Sequence, residues 1–85
     1  MKLLWDERAW ADYLSWQSDG QVLRRLNRLL KEIQRDPYTG IGRPEQLRGD
    51  LAGWWSRRIT DEHRLVYRPR GEVVEIASCR YHYGK

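Results

Sequence analysis

Five side chains of this sequence, Glu45, Arg58, Arg64, His82 and Tyr83, together hold the groups that can cleave a phosphodiester without a metal. Such a reaction needs a base to take a proton from the nucleophile, cations to bind the charge that develops on the phosphate oxygens, and an acid to protonate the leaving oxygen. In RNA the 2′-hydroxyl is the nucleophile. Glu45 offers a carboxylate as base, and Arg58 and Arg64 offer two planar forks that match a phosphate. Imidazole titrates near neutrality, so His82 can return the proton, with Tyr83 as a weaker donor or a surface on which a base stacks. Taken singly, these residues carry little. A loop glutamate is usually solvated, strand arginines commonly pair at the surface (here with Asp61, Glu62, Glu72 or Glu75), and a histidine near a chain end often sits in a flexible segment.

Whether Arg58 and Arg64 can act together depends on a turn. The stretch GWWSRRITDEHRLVYR, residues 53–68, reads as two strands of a hairpin. A two-residue Asp61-Glu62 loop would set Arg58 against Leu65 and split the arginines between faces. Such loops want positive φ, which Asp-Glu supplies poorly. An odd-length or bulged loop is therefore predicted, and it sets Arg58 opposite Arg64 on one face. Trp55, Ile59, Leu65 and Tyr67 are the expected core anchors. Arg57, Arg58, Arg64 and Arg68 are not all expected to be buried without anionic partners, so an external anion is expected.

The rest of the chain must position that hairpin. Residues 1–5 read as a short strand, Asp6 as a helix N-cap, and a first helix runs to about Gln17. Its inward stripe is read as Trp10, Tyr13 and Leu14, with Trp16 at the margin and Glu7, Arg8 and Asp12 facing water. After Ser18-Asp19-Gly20, a second helix starts near Gln21, with Val22, Leu23, Leu26, Leu29, Leu30 and Ile33 on its apolar face. Arg24, Arg25, Arg28, Lys31 and Arg35 lie opposite and are read as a solvated face, the alternative being a track for a phosphate backbone. Asp36-Pro37 stops this helix. Residues 37–53 form a long glycine-rich loop that holds Glu45 and Arg48, and long loops in compact domains are commonly functional or disordered. Arg70-Gly71 marks a second turn, and residues 72–80 a last strand whose alternation does not reveal its faces. The expected fold is α+β, in the order β-α-α-β-β-β, with both helices on one side of a small antiparallel sheet and the arginines on the other.

Composition sets the outer limits. Eighty-five residues make one small domain, 1–85, in which five tryptophans and five tyrosines supply much of the apolar area, with no phenylalanine. The formal charge is +4, and thirteen of the sixteen basic residues are arginine, which suits a nucleic acid or an acidic protein as partner. One cysteine, Cys79, excludes an internal disulfide and is read as a small core residue. With two histidines it makes a closed zinc site improbable, and no cofactor or metal is expected. Residues 3–5 are too short an apolar run for a signal peptide or a membrane span, so a cytoplasmic protein is expected.

The opening KLLWDERAWADYLSWQ, the middle RDPYTGIGRPEQLRGDLAGWWSRRITDEHRLVY and the closing ASCRYHY resemble YoeB-type toxins of the RelE/ParE superfamily over essentially the whole chain. The resemblance implies a RelE-like toxin that cuts messenger RNA in the ribosomal A site and is neutralised by a YefM-type antitoxin. Residue by residue, it places the general base at Glu45, the transition-state arginine at Arg64, a supporting arginine at Arg58 and the C-terminal acid pair at His82 and Tyr83. Arg48 stands where the family carries lysine and is assigned to substrate binding. Homodimerisation is left open. Two other readings compete: a non-enzymatic inhibitor of DNA gyrase, like the ParE branch, and a plain RNA-binding module.

Overall fold

The computed structural model describes residues 1–81. Strand β1, Lys2–Trp5, leads into helix α1, Glu7–Ser15, where the Asp6 carboxylate accepts the Arg8 N–H and caps the first turn. A short 3₁₀ turn, Trp16–Ser18, ends at Asp19, which caps helix α2, Gly20–Arg35, by accepting the Val22 N–H. The polypeptide then makes a two-residue strand β2, Glu45–Gln46, followed by β3, Trp55–Arg58, β4, Arg64–Arg70, and β5, Val73–Ser78. The five strands lie in the order β1-β5-β4-β3-β2.

The α+β class holds, and the sheet differs from expectation in two respects. It is mixed, because β1 runs parallel to β5, with Leu3 opposite Val74 and Trp5 opposite Ile76. No hairpin joins these two strands, so nothing local dictates an antiparallel sense. It also has a fifth strand, since Glu45 and Gln46 pair with Ser56 and Trp55. Two residues in a glycine-rich loop are too few to show a period.

Helix α2 buries Leu26, Leu29, Leu30 and Ile33 against Leu65, Tyr67, Val74 and Ile76, as its spacing requires. Helix α1 faces otherwise than its large side chains suggest. Trp16 is buried at 6% exposure, while Trp10 and Leu14 stay 46% and 49% exposed. The contact line is Ala9 to Trp16, two turns apart, because fully buried Ala9 lets the helix approach β5 closely. Trp16 donates its indole N–H to the Cys79 carbonyl at 2.8 Å, and Asp12, expected in water, accepts the Cys79 N–H at 3.0 Å. Trp10 instead joins Trp5 and Tyr13 in an aromatic cluster with centroids 5.1 to 5.6 Å apart.

Candidate active site

The hairpin has the predicted parity. Residues 59–63 form a five-residue loop, and Arg58 pairs directly with Arg64. The loop is closed by its own polar groups, with the Ile59 and Thr60 N–H both donating to the His63 carbonyl and the Glu62 and His63 N–H to Thr60 Oγ1. On the sheet face away from the helices, Glu45, Ser56, Val66 and Ser78 make one row across four strands. Arg58 and Arg64 make the next row. On the other flank, the Arg68 guanidinium lies 4.4 Å from the Trp54 ring and binds Glu75 through two nitrogens, at 3.1 and 3.3 Å. Small side chains thus floor a trough between long ones. From ladder geometry the Glu45 Cα lies roughly 8 Å from that of Arg58 and roughly 12 Å from that of Arg64. Long side chains can span such gaps around one phosphate.

Glu45 is exposed and lines a recess with Gln46, Leu47, Arg48, Ala52 and Gly53. Arg48 sits three residues on, exposed, at the start of a 3₁₀ turn over Gly49–Leu51. A separate recess lined by Leu4, Trp5, Trp54, Glu75 and Ala77 contains none of the candidate residues. His82 and Tyr83 lie outside the described residues. Among the described residues no three His, Cys, Asp or Glu side chains gather where they could hold a metal ion.

Two equal charges placed opposite each other destabilise a ladder unless something neutralises them. The side chain of Arg58 is 42% exposed, and its nearest carboxylate is Asp61 at 3.9 Å, itself fully solvated. Such a pair contributes little. Arg64 folds back over the loop, its Nη1 donating to the carbonyls of Thr60, Asp61 and His63 at 2.6, 3.1 and 3.2 Å. Among the described residues its Nε and Nη2 have no hydrogen-bond partner. The pair is held in register, and among the described residues its carboxylate neighbour is the solvated Asp61.

Arg57 corrects the expectation for the four arginines. It is wholly buried on the helix side and satisfied by neutral oxygens: Tyr67 Oη at 3.0 Å and the carbonyls of Ile41, Asp36 and Thr39 at 3.1, 2.9 and 2.9 Å. Arg68 has Glu75, so the demand for an external anion rests on Arg58 and Arg64 alone. The turn that feeds Arg57 its carbonyls is held by Asp36, whose carboxylate accepts the N–H groups of Tyr38 and Thr39 and the Thr39 hydroxyl. Those bonds keep the Asp36 carboxyl below its ordinary range, the Tyr38 N–H contributing most.

His63 was not singled out by sequence reasoning. It is buried, its ring edge-on to Trp16 at 4.8 Å, and its Nδ1 accepts the Tyr81 N–H at 2.7 Å. The Arg64 N–H donates to the Tyr81 carbonyl at 3.0 Å. The last described residue is therefore tied to the junction between the hairpin loop and β4, where Arg64 stands. The available signal was a histidine flanked by Glu62 and Arg64 in an otherwise polar turn.

Known proteins resemble the chain along its whole length. The family model for a YoeB-like toxin of bacterial type II toxin–antitoxin systems matches residues 5–83. Toxin YoeB of Escherichia coli K12 is 51% identical over 98% of this chain and 100% of its own. A YoeB/ParE toxin structure from Agrobacterium tumefaciens superposes with a TM-score of 0.92 at 48% identity, over 98% of this chain and 100% of that one. Staphylococcus aureus YoeB, solved as a dimer and in a YoeB–YefM complex, gives 0.89 in each case at 42% and 41% identity, over 98% of both chains.

Proposed function

The chain belongs to the YoeB-like toxins of bacterial type II toxin–antitoxin systems, and from that premise we propose that it is a ribosome-dependent endoribonuclease that cuts messenger RNA in the A site without a metal. The observation that carries the reading is the pairing of Arg58 with Arg64 on the sheet face that also bears Glu45. Glu45 takes the proton of the 2′-hydroxyl, whose oxygen attacks the adjacent phosphorus. Arg58 and Arg64 bind the charge that accumulates on the non-bridging oxygens. The P–O5′ bond breaks, and the leaving oxygen takes a proton from His82 or Tyr83. The products are a 2′,3′-cyclic phosphate, which water can open to a 3′-phosphate, and a free 5′-hydroxyl. Arg48, beside Glu45, binds a neighbouring phosphate. The ribosome supplies the in-line backbone geometry that free RNA samples rarely, so the protein need provide only acid, base and charge.

The site of action is the cytoplasm, where a single unpaired cysteine is at home. A YefM-type antitoxin is the partner that silences the trough, and a second copy of the chain is a further partner. The Staphylococcus aureus relative, solved with YefM and as a dimer, supports both. The test uses purified ribosomes programmed with message. Glu45→Ala and Arg64→Ala should each lower the cutting rate about 10²–10⁴-fold while keeping the wild-type fold and antitoxin binding. Mapped ends should carry 5′-hydroxyls. Undiminished cutting by both variants refutes the assignment, and inhibition of gyrase supercoiling in its place moves the chain to the ParE-like reading.

A further inference from the structure

We propose that His63 is a positioning residue: its Nδ1 holds the Tyr81 N–H and so fixes the backbone of Tyr81 in register with Arg64. The proposal rests on the ribonuclease reading above and adds a residue to it. The Tyr81 backbone is fixed on both sides of its Cα, its N–H donating to His63 at 2.7 Å and its carbonyl accepting the Arg64 N–H at 3.0 Å. The last residue of the hairpin loop and the first of β4 thus grip one residue of the C-terminal segment. Tyr81 also has φ +63°, a left-handed conformation that a bulky residue adopts only when its surroundings impose it. The ring that imposes it is itself immobilised. His63 packs edge-on against Trp16, its main chain closes the hairpin loop, and its own N–H donates to Thr60 Oγ1.

Nδ1 can accept a hydrogen bond only when it carries no proton, which sets the ring as the Nε2–H tautomer. Glu62 Oε1, 3.7 Å from Nε2, lies on the side where that proton sits. Just upstream the segment is clamped to the first helix by different groups, the Arg80 guanidinium 4.3 Å from the Trp16 ring and 2.8 Å from Ser15 Oγ. Those contacts set where the tail begins. His63 and Arg64 set where its last described residue stands relative to the catalytic arginine. The acid must reach the leaving oxygen while Arg64 holds the same phosphate, so an error of an ångström in this register is felt as rate.

Two substitutions separate the hydrogen bond from the packing. His63→Phe keeps the ring on Trp16 and removes the acceptor, whereas His63→Asn removes the ring and can place its amide oxygen where Nδ1 stood. On programmed ribosomes, H63F should lower the saturated cutting rate by about 10- to 100-fold and leave the half-saturating concentration within about threefold of wild type. H63N should recover most of the rate. Hydrogen exchange at the Tyr81 amide should be protected in wild type and H63N and fast in H63F. Wild-type cutting by H63F, an equal loss in both variants, or a slow H63F whose Tyr81 amide stays protected would each overturn the proposal. If wild-type protein cuts no message at all, the ribonuclease reading fails and takes the catalytic half of the proposal with it, while the exchange comparison still decides whether His63 holds Tyr81.

Discussion

Removing the buried Arg57 guanidinium takes a hydrogen-bond donor from three carbonyls and from the Tyr67 hydroxyl at once and leaves a hole among them. Arg57→Met should therefore cost at least about 3 kcal/mol, read by urea denaturation, and Arg57→Lys should rescue little because one ammonium cannot reach four oxygens arranged for a fork. Asp36 supports the same turn and brings a pH dependence. Its carboxyl is held below the ordinary value of 3.8, so its contribution is fully present above that value and is lost as pH falls through the folded-state value. In Asp36→Asn the titration is gone and the Tyr38 and Thr39 N–H groups can still find an oxygen. The stability difference between wild type and this variant should be largest near neutrality and shrink at pH well below 3.8.

The hairpin owes its register to loop chemistry, which is local and can be read from a few residues. Asp61-Glu62 cannot make the two-residue turn, so the arginines face each other. The inward place of Arg57 was also legible, because the alternation that sends Trp55 and Ile59 to the core sends Arg57 with them. Three of its four partners were not, since they are main-chain oxygens of a loop 16 to 21 residues away. The face of the first helix was misread for another reason. Counting large apolar residues favours Trp10 and Leu14, but contact with a sheet rewards a small residue such as Ala9. The loop before the hairpin is itself constrained by packing. A Cβ on Gly42, at φ +85°, would stand 2.7 Å from Leu29 Cδ2 and 3.1 Å from Arg57 Cβ. Gly42→Ala should cost about 2–4 kcal/mol, combining overpacking with a left-handed backbone, and should shift the denaturation midpoint without changing the helix signal of the folded state.

Across the whole molecule, Cys79 reports on integrity. It is fully buried between the first helix and the sheet, and burial pushes its thiol up to about 12, with Asp12 adding to the shift. A thiol-alkylating reagent near neutrality should leave the folded protein untouched and label it only at the rate of unfolding, measured by mass spectrometry. Prompt labelling in the native state would contradict the packing described.

The place of β5 between β1 and β4 fixes an order of events. It is the last strand to be synthesised, and both of its neighbours are made before it, β1 by some seventy residues. Until it emerges, the N-terminal strand has no edge to join and the hairpin has only one finished side. A chain still being translated is thus an incomplete tool until β5 has emerged, and long-range closure of this kind is slow. For the ribosome-directed activity proposed above, the delay gives the ribosome that built the chain time to let go.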